Sequence, residues 1–150
     1  MPNSSATTGV PGQVFDAELI GGKLRQGVVL STCTSGGVTP YHRVLTADNN
    51  AAVVKASLGQ LYHAGGGNVT ATAATLYLKI YDKSTSPNPA TDTPVVVIPI
   101  PPDLPPPLWT FPNGMEFANG IAILVVLGIA NTNNTAVAVA GDGVINLGFK

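Results

Sequence analysis

Charged side chains are scarce in this sequence. Seven of its 150 residues are Lys or Arg and eight are Asp or Glu, so 10% are charged, against about 25% in an ordinary soluble domain. The formal net charge of −1 argues against a basic face that follows nucleic-acid phosphates, so we expect no direct nucleic-acid partner. A surface so short of charge suits packing against neighbouring proteins better than staying alone in solution.

Cysteine and long apolar runs are also nearly absent. The single cysteine, Cys33, excludes an internal disulfide and is expected to be a small, half-buried strand residue. The opening residues 1–8 are small and polar, unlike a secretory signal. The most hydrophobic segment, residues 121–130, has about half the length of a membrane helix. We therefore expect a buried strand there and no membrane association.

Helical periodicity is missing as well, because no window of helical length keeps an apolar stripe without a Gly or Pro break. Turn signals instead recur every eight to fifteen residues, which predicts an all-β, single-domain antiparallel β-sandwich over residues 14–150. Residues 1–13 hold too few apolar side chains to become ordered by burial and form a flexible or docked N-terminal arm. The strand-like runs are 14–20, 26–34, 42–46, 52–56, 60–64, 70–82, 94–98, 115–129, 136–140 and 144–149.

The clearest predicted strand covers residues 75–82. Three aliphatic side chains, Leu76, Leu78 and Ile80, alternate with three amphipathic ones, Tyr77, Lys79 and Tyr81. The aliphatic face is expected to build the core. The other face suits either a cross-strand aromatic ladder or a subunit contact.

Glycine and proline clusters mark the predicted turns and loops. Residues 99–107 hold six of the 13 prolines and predict a stiff extended loop that carries Trp109 and Phe111 to the core or to an interface. Gly65–Gly67 predicts a turn, since it lacks the lysine of a phosphate-binding loop. Residues 141–143 predict a hairpin turn.

No arrangement of residues points to catalysis or metal binding. His42, His63, Cys33 and the eight dispersed acids lack ligand spacing, and no serine has the flanking glycines of a nucleophile elbow. Glycoside hydrolysis would need two facing acids, for which Glu116, Asp82 and Asp92 give only a weak signal. We predict a protein that is not an enzyme, with no catalytic residue, metal site or cofactor.

Several segments nevertheless resemble a known family. They are residues 53–62, 76–83, 92–95, 111–121 and 134–137. They are similar to segments of small β-sandwich virion structural proteins of tailed bacteriophages and prophages, and the resemblance covers roughly residues 33–150. It implies a jelly-roll-like sandwich that assembles on the particle as a capsid decoration or cement protein. Family members often carry an acidic cluster where this chain has residues 131–134, Asn-Thr-Asn-Asn, which puts a carboxylate-bound cation there in doubt.

The expected function is to bind and stabilise the assembled head shell from its outer surface, after synthesis in the host cytoplasm. The expected partners are the major capsid protein and neighbouring copies of the chain in a homo-oligomer. The candidate contact residues are Trp109, Phe111, Tyr77 and Tyr81, because aromatic side chains dominate interfaces; core filling is the alternative role. The alternative function is a tail-associated fibre or receptor-binding protein whose loops, 65–68 or 84–91, contact the host surface.

Overall fold

The structure, a computed structural model, describes residues 17–20, 23–26, 37–69, 74–102, 107–138, 140–141 and 143–150. The chain divides into two compact units, Met1–Gly37 and Val38–Lys150. In the first, β1 (Ala17–Ile20) and β2 (Lys23–Gln26) form an antiparallel hairpin. The predicted arm over residues 1–13 and the Cys33 prediction lie outside the described residues.

In the second unit, the described residues form eight strands in two four-stranded sheets that pack as a β-sandwich. Its strands are β3 (Thr39–Val44), β4 (Ala52–Lys55), β5 (Gly59–Asn68), β6 (Leu76–Asp82), β7 (Val96–Ile100), β8 (Leu108–Phe117), β9 (Ile121–Val126) and β10 (Gly143–Phe149). Sheet I has the order β3-β10-β5-β8 and sheet II the order β4-β9-β6-β7. Every neighbouring pair is antiparallel. The predicted all-β antiparallel sandwich is confirmed.

The eight strands form four nested pairs. β3 pairs with β10, β4 with β9, β5 with β8, and β6 with β7. The first half of the sandwich therefore pairs with the second half in reverse order, alternating between the sheets. Because of this order β3 and β8 are the edges of sheet I, and β4 and β7 are the edges of sheet II.

The hydrophobic core lies between the two sheets. The predicted aliphatic face of β6 is confirmed, since Leu76, Leu78 and Ile80 are fully buried. β9 is buried along its whole length, as its apolar sequence predicts. Burying such a side chain contributes about 1.5–3 kcal/mol. Further core residues come from both sheets: Leu61, Ala64, Ile98, Ile100, Phe117, Ile145 and Leu147.

The proline-rich stretch differs from its prediction as a loop throughout. Pro99 and Ile100 belong to β7, opposite Tyr77 and Leu76 of β6. Proline is tolerated in this strand because β7 is an edge, where one N–H fewer leaves no ladder bond unmade. Residues 103–106 of the predicted loop lie outside the described residues.

The glycine predictions need a larger correction. Gly65–Gly67 is not a turn but part of β5, a central strand of sheet I. A Cβ on Gly65 would collide with the carbonyl oxygen of Pro107, and one on Gly66 with that of Val144. Glycine is needed here because neighbouring backbone approaches closely, which is a common reason for glycine within a strand.

Three other turn and strand boundaries also shift. Gly141, at φ +87, does occupy a turn, but the turn leads into β10, whose partners are β3 and β5, so it closes no hairpin. The predicted strand 115–129 is interrupted at Ala118–Gly120, where Gly120 has φ +149. No strand forms among the described residues of the predicted run 136–140.

Candidate functional site

The four predicted contact aromatics do not form one patch. Trp109 and Phe111 lie on β8 in sheet I, whereas Tyr77 and Tyr81 lie on β6 in sheet II. Trp109 is 45% exposed, Phe111 is half-buried against the core, and Tyr77 is half-buried. Tyr81 is 1% exposed. A side chain covered by its own chain cannot reach a partner without rearrangement, so Tyr81 is set aside as a contact residue.

Trp109 is exposed because it lies on an edge strand. Its register partner is Ala64, a core residue of β5, whereas the preceding residue, Leu108, is opposite Gly65. Because neighbouring strand residues alternate between the faces of a sheet, Trp109 and Leu108 are on opposite faces of β8. Leu108 is 66% exposed, so apolar surface is present on both faces of this edge.

The outer face of sheet II is covered. Tyr81 packs there with Ala122, Leu124 and Val126 of β9 in a second buried cluster. Burial raises the pKa of the Tyr81 hydroxyl, and the nearby charge of Asp92 raises it further. The hydroxyl is therefore neutral at physiological pH. The sequence left open a cross-strand aromatic ladder or a subunit contact for this face, but Tyr81 lies opposite Ala122 and packs against aliphatic side chains of its own sheet.

Lys79 is fully buried on the same outer face. Its ammonium group donates hydrogen bonds to three backbone carbonyl oxygens, those of Ala130 at 2.5 Å, Asn133 at 3.3 Å and Asn131 at 3.4 Å. No carboxylate within the described ranges lies at ion-pair distance from it. Burial lowers the pKa of Lys79, whereas carbonyl acceptors favour the charged form.

The carbonyl groups that bind Lys79 belong to residues 127–137, here called the Lys79 loop. Leu127 N donates to Thr135 O, and the amide of Asn133 donates to Ala130 O. Asn134 Oδ1 accepts a 2.7 Å hydrogen bond from Asn49, and Val137 N donates to Asp48 O. The loop is thus fixed both to the sheet and to the segment before β4. It includes residues 131–134, so a lysine ammonium lies beside the segment for which the resemblance raised a bound cation.

Two aspartates hold neighbouring connections in place. Asp82 accepts hydrogen bonds from the backbone N–H groups of Asn119 and Gly120. Burial alone would raise the pKa of Asp82, but these hydrogen bonds outweigh it and lower the pKa. Asp92 accepts from the backbone of Asn88 and from Lys83, which lower its pKa. The Asp82 carboxylate thus holds the connection between β8 and β9, and the Asp92 carboxylate holds its own loop between β6 and β7.

Glu116, the third acid considered from the sequence, lines an open groove of about 380 Å³. Lys55, Lys150, Leu58 and Gln60 also line it. The Lys150 ammonium lies 5.9 Å from the centre of the Tyr62 ring. The groove therefore brings two cationic side chains near one carboxylate, an arrangement suited to binding a polar group rather than to paired acid–base chemistry.

The histidines lie on sheet I and are separated by β10. His42 Nδ1 is 2.9 Å from Asn146 Oδ1, and the ring of His63 lies against the backbone of Gly148. In the part of the chain that the structure describes, no three His, Cys, Asp or Glu side chains form a group able to hold a metal ion. Nor does any helix there have the length and apolar character to cross a membrane.

Sequence reasoning missed the burial of Lys79, the Lys79 loop and the exposed Leu108. The tyrosines on both sides of Lys79 were a signal that its stem could be covered, but not of what covers it. Comparison with known proteins adds nothing to this geometry, because no family model, curated protein or solved structure matches the chain.

Proposed function

We propose that this chain is a non-enzymatic virion structural protein that decorates and stabilises the assembled head shell of a tailed bacteriophage. The exposed apolar pair Leu108 and Trp109 on the β8 edge carries this proposal. Tryptophan is among the residues that contribute most to protein–protein binding, especially where it can enter a pocket of the partner. A shell protein is the partner that we assign to this edge.

The topology is compatible with an assembly role. The nested pairing of β3 with β10 through β6 with β7 is the pairing expected of a jelly roll, which we propose as the fold type. Jelly rolls of eight strands are a common architecture of viral capsid domains and also of lectins and cupins. Topology alone therefore favours no single function, and the weight rests on the exposed edge.

The edges of both sheets carry features that prevent unlimited strand pairing. Pro40 lies in β3, Pro99 in β7 and Pro112 in β8, while β4 ends in Lys55 and contains a register shift. Proline, lysine and irregular pairing at an edge discourage sheet-to-sheet aggregation. A protein present in many copies on one particle would need such protection, which is consistent with contacts made by side chains rather than by added strands.

The test uses the full chain and empty shells of the major capsid protein. Wild-type protein is expected to sediment with the shells at a copy number that follows the capsid lattice. Trp109→Ala should weaken this binding by about 30-fold or more, the effect of losing roughly 2 kcal/mol at a central contact. Ile129→Ala is the matched control, since Ile129 is 64% exposed but lies in the Lys79 loop of sheet II.

Position on the particle separates this function from its alternative. Hundreds of copies on the head, in a map of purified virions, would support decoration. A few copies at the tail would contradict it and favour the receptor-binding function. No binding to shells by the wild-type protein would also contradict the proposal.

A further inference from the structure

Two Asn-Gly dipeptides occur in this sequence, Asn113–Gly114 and Asn119–Gly120. An asparagine followed by glycine can lose its side-chain amide without an enzyme, because glycine has no Cβ to shield its backbone nitrogen from the preceding side chain. Both asparagines are exposed, and both glycines have a positive φ. Sequence and exposure therefore do not distinguish the two sites, and the contacts around each site decide which one reacts.

The Asp82 carboxylate holds Asn119–Gly120 in place. Asp82 Oδ1 accepts hydrogen bonds from Asn119 N at 2.7 Å and from Gly120 N at 3.3 Å, and Asp82 Oδ2 accepts one from Asn119 Nδ2 at 3.2 Å. Gly120 is also buried, and its carbonyl oxygen accepts a 2.9 Å hydrogen bond from Lys83 N. The Gly120 nitrogen cannot reach the Asn119 side chain until hydrogen bonds to a charged group are broken.

Asn113–Gly114 has no such anchor. No hydrogen bond within the described ranges involves the Asn113 side chain. β8 is an edge strand, and its register with β5 shifts between Thr110 and Met115. Residues 111–114 therefore have no partners in register on β5, and ladder pairing constrains them less than the rest of β8.

The backbone favours glycine at position 114. Gly114 has φ +73, a conformation that residues with a side chain rarely adopt. A Cβ there would also lie 3.1 Å from Tyr62 Cζ and 3.3 Å from Gln60 Cβ. A larger residue, which would shield the nitrogen and slow the reaction, is thus strained and crowded at this position, so the shape of β8 itself maintains the reactive dipeptide.

We propose that Asn113 is a site of spontaneous deamidation in the folded protein and that Asn119 is protected from it. The deprotonated Gly114 nitrogen attacks Asn113 Cγ and forms the new C–N bond of a succinimide ring, while the side-chain nitrogen takes up a proton and leaves as ammonia. Water, the one co-reactant, then opens the ring at either carbonyl group and gives aspartate or isoaspartate. Each event adds one negative charge to a chain whose formal net charge is −1. The proposal goes beyond the decoration function and does not depend on it.

The test is incubation of the folded full chain at mildly alkaline pH, followed by cleavage after Glu116 under mildly acidic conditions. This cleavage places Asn113 and Asn119 on different peptides, so mass spectrometry measures each site separately, and enzymatic methylation of isoaspartate identifies the product. Asn113 should react at least about tenfold faster than Asn119, since only Asn119–Gly120 must first release a carboxylate. In guanidinium, where the chain is unfolded, the two sites should react at similar rates.

Two variants separate the causes. Asn113→Gln is the matched control, because glutamine would have to close a larger ring; it should abolish modification at position 113 and leave the rate at Asn119 unchanged. Asp82→Ala removes the acceptor of all three hydrogen bonds at Asn119–Gly120 and should raise the rate at Asn119 towards that at Asn113. Thermal unfolding verifies that both variants are folded at the incubation temperature.

Equal rates at Asn113 and Asn119 in the folded wild type would overturn the inference, as would the absence of reaction at Asn113 in the folded chain. A difference that persists unchanged in guanidinium would also overturn it, because sequence rather than structure would then set the rates. A folded Asp82→Ala variant in which Asn119 stays slow would refute the protection by Asp82. If that variant does not fold, the comparison of folded with unfolded wild type still decides.

Discussion

Two adjacent glycines of β5 should respond to alanine in opposite directions. A Cβ on Gly66 would collide with the backbone carbonyl oxygen of Val144 and lie 2.9 Å from Ile145 Cδ1 and 3.1 Å from Ile100 Cδ1. A Cβ on Gly67 would meet only Val144 Cγ2, at an ordinary 3.4 Å. Neither glycine has a positive φ, so alanine fits the backbone conformation at both positions.

The magnitudes follow from two opposing effects. Replacing a strand glycine by alanine gains about 0.5–1 kcal/mol, because the unfolded chain loses less freedom on folding. Overpacking a filled core costs about 1–3 kcal/mol, and the Val144 carbonyl cannot move without disturbing its strand. Gly67→Ala should therefore stabilise the protein by about 0.5–1 kcal/mol. Gly66→Ala should destabilise it, and the difference between the two variants, about 1–3 kcal/mol, is the cost of the close contact itself.

Urea unfolding of the wild type and both variants measures this difference as a shift in midpoint at constant slope. Each kcal/mol should also move the thermal midpoint by about 2–4 °C for a chain of this size. Equal midpoint shifts in the two variants, or a larger loss for Gly67→Ala, would refute the close packing of β5 against β10.

Two further predictions concern the connections of sheet II. Lys79→Met keeps the buried stem but removes the donor to the carbonyl groups of Ala130, Asn131 and Asn133. We expect the free energy of unfolding to fall by about 1–3 kcal/mol and hydrogen exchange to become faster in the Lys79 loop alone. Unchanged exchange in that loop would contradict the anchoring role of Lys79. The lowered pKa of Asp82 means that its carboxylate stabilises the folded state above the ordinary value of 3.8 and that this contribution disappears as the pH falls through the folded pKa. Asp82→Asn should accordingly flatten the fall in stability that occurs as the pH is lowered below the ordinary value of 3.8, measured by urea midpoints, and an unchanged slope would argue against the hydrogen bonds to Asn119 and Gly120.

Local patterns predicted the parts of the fold that depend on a single strand. The alternation of residues 75–82 identified β6 and its core face, and the apolar run from Ile121 identified β9 as buried. Both patterns can be recognised within one run of consecutive residues, because a strand places alternate side chains on opposite faces whichever strand it pairs with. The same reasoning predicted a loop over residues 99–107, whereas Pro99 and Ile100 lie in β7, an edge strand of sheet II.

Features that depend on distant pairing were not predictable in this way. A glycine run signals either a turn or a close approach, and only the arrival of Val144 beside Gly66 decides between them. In the same way, the sequence around Lys79 could not reveal that its ammonium group would bind the carbonyl oxygen of Ala130, 51 residues further along the chain. The exposure of Trp109 likewise follows from the position of β8 as an edge, which is a property of the whole sheet order.

The two outer faces of the sandwich differ in what a partner would have to displace. Docking on sheet II would require removal of the Lys79 loop and of the three hydrogen bonds from the Lys79 ammonium, whose loss costs about 1–3 kcal/mol in total. Sheet I needs no such rearrangement, because the His63 ring and the His42–Asn146 pair lie on its surface. If copies of this chain meet through a sheet face, the cost of opening sheet II therefore makes sheet I the favoured face.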